Sequence, residues 1–439
     1  MTKNPIVRRY YVAMHMVLKT PLCISNGESE NSDHDVIRNG SGEFFIPGTS
    51  LAGSIRDYLN LKNDRLGALG FSSETDGRMS PIFVSDALVK NARVSVRDFV
   101  RLGHDKVAEK AGKFDMEILE SGAQTTLFLE AVERNDVHYD FPALFGEILC
   151  GFQKGEIRLG SKKNRGFGWM DVKTARICTF TSEQLEQWLE FVPDWKERIL
   201  ALDEEKYVLH PKNSKDRFID LYLPLYQRGG ISIRVYSAQA GKADFEHISC
   251  NGVPVIPGSS WNGAIRQRAY EILRCLGSSE AVAEDILANW FGFVNAKAAE
   301  NEDEELSACQ SRVIYEESCI EGGNALSVTR NKIDRFDAAT VGTALYTEVG
   351  WFDGNTSLHI KIRRGVQEGD TPAEAIAGML MLILDDVQEG YVSVGGQTAV
   401  GRGIFSSKDQ TDHAYGSGLE REECLRALYG FLSGKGVLA

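Results

Sequence analysis

The sequence predicts an α+β protein of two tandem ferredoxin-like (RRM-like) modules with inserted loops and hairpins, and three observations carry that prediction. The chain has 439 residues, more than a usual single domain, so two domains are expected. The stretch Ile46-Pro-Gly-Thr-Ser-Leu-Ala-Gly-Ser-Ile-Arg56 returns 210 positions later as Ile256-Pro-Gly-Ser-Ser-Trp-Asn-Gly-Ala-Ile-Arg266. A glycine loop closes each half, with Gly160, Gly166 and Gly168 falling on Gly395, Gly401 and Gly403. Three landmarks in the same order mark an internal duplication.

Each half opens on a β-rich segment, Arg8 to Lys19 in the first and Phe218 to Ala238 in the second. A loop with the pattern D-x-[DE]-x-I follows, Asp33 to Ile37 and Asp244 to Ile248. The Ile-Pro-Gly turn then leads into a helix, for which Ser50 and Ser260 are the expected N-caps. Leu51, Ile55 and Leu59 recur at i+4 and mark that helix's core face. Strands are expected at Thr125 to Val132 and Thr356 to Ile362, and second helices at Pro142 to Gly151 and Pro372 to Leu384. The resulting order, β-loop-α-ββ-α-β, fits a ferredoxin-like sheet with helices on one face. The expected boundaries are 1–180 for the first module, 181–214 for a linker with an amphipathic helix, and 215–439 for the second module. A final helix, Gly418 to Leu432, is expected to pack on the second module.

Composition narrows the function classes. With 43% apolar and 25% charged residues the chain can bury two cores, and no apolar run reaches the ~18 residues of a membrane span. A basic start followed by a β-patterned segment has no cleavable apolar stretch, so a cytoplasmic protein without membrane partners is expected. Eight cysteines lie scattered without a CxxC pair, so reduced packing thiols are expected and no zinc site. The net charge of −13 argues against indiscriminate polyanion binding, although part of the acid sits in one run at 300–305, read as a solvated loop.

Basic residues gather at the duplicated landmarks. Lys162, Lys163 and Arg165 decorate the first glycine loop beside Phe167 and Trp169, and charge interleaved with aromatics suits a flexible single strand. The second loop keeps Gly401 and Gly403 around Arg402 but has Gln397 and Thr398. Neither loop is a Rossmann fingerprint, because neither has G-x-G-x-x-G between a strand and a helix. A turn entering a helix offers unpaired N–H groups to a phosphate, with Arg56 and Arg266 two turns further on. The competing reading is a tight turn, core aromatics and solvated cations.

These residues resemble the RAMP superfamily, whose hallmarks are the IPG[ST]S-x-x-G-x-[IL]-R turn-helix and a glycine loop of the G-x-x-x-x-R-G-[FY]-G kind. The upstream aspartate motif resembles that of backbone subunits lining the guide RNA (crRNA) in type III CRISPR complexes, and two modules in one chain resemble a fused, type III-D-like backbone. The resemblance implies RNA contacts at Ser50, Arg56, Ser260, Arg266, Lys162, Lys163, Arg165, Gly166, Gly168, Gly401, Arg402 and Gly403. It implies crRNA, complementary target RNA and other CRISPR effector subunits as partners. It further implies that 94–117, aligned with 327–348, forms a protruding hairpin, with Arg97 on Arg330 and Phe114 on Tyr346. The alternating patch His359 to Arg364 is a further basic face, for RNA, a neighbouring subunit or water.

No nucleophile elbow, H-E-x-x-H, Walker A or kinase set is present. By resemblance the catalytic and metal-binding residues are Asp33 and Asp244, serving Mg²⁺-dependent cleavage of target RNA at two positions. Mg²⁺ fits such a supply, because it keeps waters and needs only one or two carboxylates plus phosphate. Asp35 and Glu246 are candidate second carboxylates. The family's strand-end histidine is replaced by Cys23 in the first copy and Val235-Tyr-Ser in the second, leaving His34 and His247 as substitutes. The alternatives are aspartates that cap turns in a non-catalytic crRNA-binding scaffold, or a metal-independent crRNA-processing endoribonuclease.

Overall fold

A computed structural model describes residues 4–25, 27, 32–59, 66–72, 77–104, 107–135, 139–212, 217–236, 242–294, 308–342, 345–364, 370–407 and 413–438. The acidic run at 300–305 lies outside the described residues. The chain forms two compact units: Met1–Leu102, Ala108–Lys163 and Phe167–Lys215 in unit 1, and Gly103–Val107, Asn164–Gly166 and Asp216–Ala439 in unit 2. Both mix helices with antiparallel sheets.

Two-residue strands aside where they carry no argument, unit 1 contains β1 (Ile6–Leu18), β2 (Phe45–Ile46), α1 (Gly48–Leu59), β3 (Ile82–Val84), β4 (Ala87–Lys90), β5 (Val94–Leu102), β6 (Ala108–Leu119), β7 (Gln124–Arg134), α2 (Phe141–Gln153), β8 (Met170–Thr181), α3 (Leu185–Phe191) and α4 (Trp195–Ala201). The sheet order is β8-β1-β7-β4-β2, with β3 also paired to β7, and β5 and β6 form a separate hairpin. Alternation sends Tyr10, Val12, Met14 and Met16 of β1 into the main core, with Phe145, Ile148 and Phe152 of α2 and Leu51 and Ile55 of α1. Tyr11 and Ala13 point the other way, into a second cluster with Phe180, Phe191 and Ile199. Residues 10–14 of β1 are buried on both faces, hence their unbroken apolar run.

That second cluster packs the linker on the sheet. The expected amphipathic helix forms as α3, and a second short helix, α4, follows it after Pro193 in a 3-10 turn. Proline lacks the N–H that a continuous helix needs. Trp195 sits 4.9 Å from the Tyr11 ring, and Trp188 Nε1–H donates to the Tyr11 hydroxyl at 2.9 Å.

Unit 2 contains β9 (Phe218–Arg228), β10 (Arg234–Tyr236), β11 (Phe245–His247), α5 (Gly258–Cys275), α6 (Glu280–Phe291), β12 (Val313–Tyr315), β13 (Asn324–Arg330), β14 (Tyr346–Phe352), β15 (Asn355–Arg363), α7 (Ala373–Glu389), β16 (Ile404–Ser406) and α8 (Arg421–Gly434). Its main sheet runs β12-β15-β9-β16, and β13 pairs with β14 in a second sheet that includes β11 and β10. Ile219, Leu221, Leu223 and Leu225 face the core with Ile376, Leu380 and Leu384 of α7. Cys424, Leu428 and Leu432 of α8 join that core. The other sheet face carries Asp220 and His359.

The expected serine caps are corrected. α1 begins at Gly48, whose N–H donates to Asp86 Oδ1 at 2.6 Å, and the Ser50 N–H already bonds the Pro47 carbonyl at 3.0 Å. In α5 the N-cap is Pro257, and the Ser260 N–H bonds its carbonyl at 2.9 Å. Proline's fixed φ seats the chain at the helix entrance, which leaves both serines inside the first turn.

Candidate functional site

In each unit the duplicated aspartate meets the second strand of a β-hairpin. In unit 1 the exchange is reciprocal: the Asp33 N–H donates to Asp115 Oδ1 at 2.8 Å, and the Asp115 N–H to Asp33 Oδ2 at 2.9 Å. In unit 2 the Asp244 N–H donates to the Thr347 carbonyl at 2.9 Å, and the Thr347 N–H to Asp244 Oδ2 at 2.7 Å. Asp115 and Thr347 hold the same place on β6 and β14. The neighbours repeat too. The His34 ring meets Phe114 edge-on at 6.3 Å and 81°, and Phe245 meets Tyr346 at 6.4 Å and 82°.

The glycine loops repeat in backbone detail. Lys162 (φ 55°) and Gln397 (φ 59°) both take the left-handed conformation at equivalent positions. Each is followed by a 3-10 turn, Lys163–Arg165 or Thr398–Val400. The glycine after the turn lets the chain fold back, so that Leu159 N–H bonds the Gly168 carbonyl at 3.0 Å and Val394 N–H the Gly403 carbonyl at 2.9 Å. The scan against protein-family models agrees with this doubling: the model described as RAMP superfamily matches residues 15–171 and 241–406. The chain belongs to the RAMP superfamily. No curated protein matches it.

Within this RAMP protein the two loops aim different chemistry at the hairpin. The Lys162 ammonium lies 4.7 Å from the Phe114 ring and 5.7 Å from Phe99, two rings stacked at 5.3 Å and 11°. Gln397 instead donates to Glu348, which is buried and also accepts from Ser232. Arg234 holds Glu348 bidentately, Nε to Oε1 at 3.0 Å and Nη2 to Oε2 at 2.9 Å. Burial opposes ionisation of Glu348, but the Arg234 and Ser232 bonds prevail and lower its pKa. Arg234 is therefore matched by an internal anion.

Four expectations about this RAMP site are corrected by geometry. Cys23 is fully buried among Met116, Ile118 and Phe167, and burial pushes its thiol up. Its counterpart is Ser232 rather than the Val235-Tyr-Ser segment, since Ser161 N–H bonds the Cys23 carbonyl at 2.9 Å and Gly396 N–H the Ser232 carbonyl at 2.7 Å. His247 is no substitute base: Ile233 N–H donates to its Nδ1 at 3.1 Å and its Nε2 lies 3.1 Å from the Val255 carbonyl. Its burial pulls the pKa down to about 4. The residue matching His34 is Phe245. In the hairpins Phe99 pairs with Phe114 and Arg330 with Tyr346, so Arg330 stands at Phe99's place and Arg97 is displaced by two residues. Asp35 turns inward, its Oδ1 accepting from the Ser32 N–H and hydroxyl at 3.0 and 2.7 Å, and Glu246 pairs across β10 with Val235.

The remaining candidates are distributed. Arg56 Nη2 donates to the carbonyls of Leu69 and Gly70 at 2.5 and 3.0 Å, and Arg266 Nη2 to Glu284 at 3.0 Å. Lys163 opens its 3-10 turn half-buried. Arg165, which groups with unit 2, has a guanidinium whose burial lowers its pKa to about 10. The Arg402 guanidinium lies 4.6 Å from the Phe352 ring. Gly166 and Gly401 have φ of 93° and 79°. The patch on β15 is largely matched by acid: Lys361 bonds Asp220 at 2.7 Å, and His359 bridges Asp220 and Glu316, both at 3.0 Å. No helix among the described residues is long and apolar enough to cross a membrane.

Among the described residues no group of three or more His, Cys, Asp or Glu side chains converges as a metal site. Unit 1 nonetheless supplies two adjoining carboxylates, Asp33 and Asp115, each bonded to the other's backbone through one oxygen. That donor set fits Mg²⁺, which completes its shell with water and phosphate oxygens.

Proposed function

We propose that this RAMP protein is a crRNA-binding backbone subunit of a type III CRISPR effector complex that cleaves the paired target RNA with a divalent cation at Asp33. The observation that carries this reading is the reciprocal Asp33–Asp115 pair on the hairpin, with Lys162 over the adjoining rings. We infer further that each unit is a ferredoxin-like module. The strand orders β8-β1-β7-β4 and β12-β15-β9-β16, with α1, α2 and α5, α7 on one face, support that assignment.

Asp33 and Asp115 would hold the cation, which neutralises charge on the scissile phosphate when bound. Lys162 adds a fixed positive charge beside that phosphate, and the stacked Phe99 and Phe114 rings limit its motion. In an assembled complex with Mg²⁺ and complementary RNA, Asp33→Ala is expected to slow cleavage at least about 100-fold, with target affinity unchanged. Binding rests on base pairing and many backbone contacts, whereas the chemistry needs its own carboxylate. The scaffold reading has one observation in its favour, since each aspartate already holds a hairpin backbone N–H. A parental cleavage ladder from Asp33→Ala in a complex that binds target normally would establish it.

RNA contact is tested separately. With the Arg165 guanidinium buried, the two lysines of the first loop remain, and Lys162→Ala with Lys163→Ala should lower the salt slope of single-strand binding by about 1.4. An unchanged slope in filter binding across a salt series would assign both lysines to solvent.

A further inference from the structure

We propose that the duplicated sites have divided their labour: unit 1 cuts target RNA, and unit 2 holds RNA without cutting it. This rests on the cleavage reading above and adds which site performs it. Four equivalent positions carry the argument. Unit 1 has Asp33, His34, Asp115 and Lys162, and unit 2 has Asp244, Phe245, Thr347 and Gln397. The backbones superpose in kind, because both aspartates accept the same hairpin N–H, both second residues meet the hairpin ring edge-on, and both loop residues are left-handed. Chemistry alone differs. Unit 2 has lost one of two carboxylates, the imidazole and the ammonium at fixed geometry, and its Gln397 is tied to Glu348. Its nearby Arg234 is already paired bidentately with that same glutamate.

The step at stake joins the RNA 2′-oxygen to phosphorus and breaks the bond to the 5′-oxygen. The 2′ proton leaves to solvent and the 5′-oxygen takes one from it, so no oxidant or co-reactant is consumed. The phosphate in flight gathers negative charge, which a cation shared by two carboxylates and a lysine can match. A lone carboxylate among a phenyl ring, a hydroxyl and a committed amide cannot, because Arg234 is paired with Glu348 and Arg330, at Phe99's place, is drawn to that same glutamate. The asymmetry is therefore electrostatic and local, within a backbone frame that the two units share.

The test uses the assembled complex with Mg²⁺, together with Mn²⁺ as a spectroscopic probe on the full chain. Asp33→Ala should abolish every cut attributable to this chain, and Asp244→Ala should leave the parental ladder. Electron paramagnetic resonance should find an Mn²⁺ signal lost in Asp33→Ala and retained in Asp244→Ala. The triple change Phe245→His, Thr347→Asp and Gln397→Lys should install a second cut. Gln397→Lys alone should raise the RNA-binding salt slope by about 0.7. Two parental cuts, each removed by its own aspartate variant, would overturn the division while leaving the cleavage reading intact. Parental ladders from both aspartate variants, with Mn²⁺ binding unchanged, would overturn both.

Discussion

Gly168→Ala and Gly403→Ala each destabilise the unit that carries them by more than about 3 kcal/mol, while Gly401→Ala costs about 1 kcal/mol. All three glycines are left-handed, with φ of 79°, 71° and 79° respectively. A methyl on Gly168 would stand 1.9 Å from the Leu159 carbonyl oxygen, and one on Gly403 1.9 Å from the Val394 oxygen. A methyl on Gly401 meets nothing within 4 Å, so only its backbone penalty remains. The obstructing atoms at the other two sites are main chain, and the same Leu159 and Val394 residues supply the N–H groups that close the loops. Relief of the clash therefore opens the loop. Urea midpoints for the two units measure the effect, and equal losses at Gly401 and Gly403 would show that the crossing strands yield easily.

Two histidines of unit 2 should give its stability opposite pH limbs. His247 is held neutral: burial lowers its pKa to about 4, only partly opposed by its bond to the Val255 carbonyl. Between its unfolded value near 6.5 and about 4, the unfolded chain takes a proton that the folded chain refuses, so stability falls as pH drops. From pH 7 to pH 5 the loss is about 2 kcal/mol. His359 behaves in reverse. Burial alone would lower it, but bonds to Asp220 and Glu316 outweigh burial and raise its pKa to about 9. Its contribution is complete below 6.5 and is lost as pH rises through about 9. Partial exposure limits that loss to about 1 kcal/mol between pH 7 and pH 9. His359→Gln should flatten the alkaline limb and His247→Leu the acid one, at the cost of two hydrogen bonds in the latter. Urea midpoints of unit 2 at the three pH values decide it, and a parent with no acid limb would contradict a neutral buried His247.

Legibility in the sequence followed how local the cause was. The core face of α1 was readable because Leu51, Ile55 and Leu59 obey a spacing that the helix itself dictates. The linker's amphipathic helix was readable, since its pattern ends just where Pro193 stops it; α4 was not, because its place depends on Trp195 packing against the Tyr11 ring. The helix caps were misread because Pro257 fixes the chain direction before Ser260 is reached. Asp115 was missed altogether. Its relation to Asp33 spans 82 residues, and no spacing rule links a loop carboxylate to a strand that pairs elsewhere.

By itself the sequence determined that this chain is a duplication, where the repeated turns and glycine loops lie, and that it resembles the RAMP superfamily. Those are properties of identity and order along one dimension, and a family match needs nothing else. Only the tertiary structure decided which residues are equivalent in chemistry. The D-x-[DE]-x-I match already sets Phe245 at the place of His34 and leaves His247 two residues further on. Only the structure shows that β10 draws His247 into a buried bond with Ile233 and so removes it as a base. Hydrogen bonds and ring contacts act across distances along the chain that no motif spans, so the contrast between Lys162 and Gln397 becomes a difference in charge only once each is seen against its own hairpin.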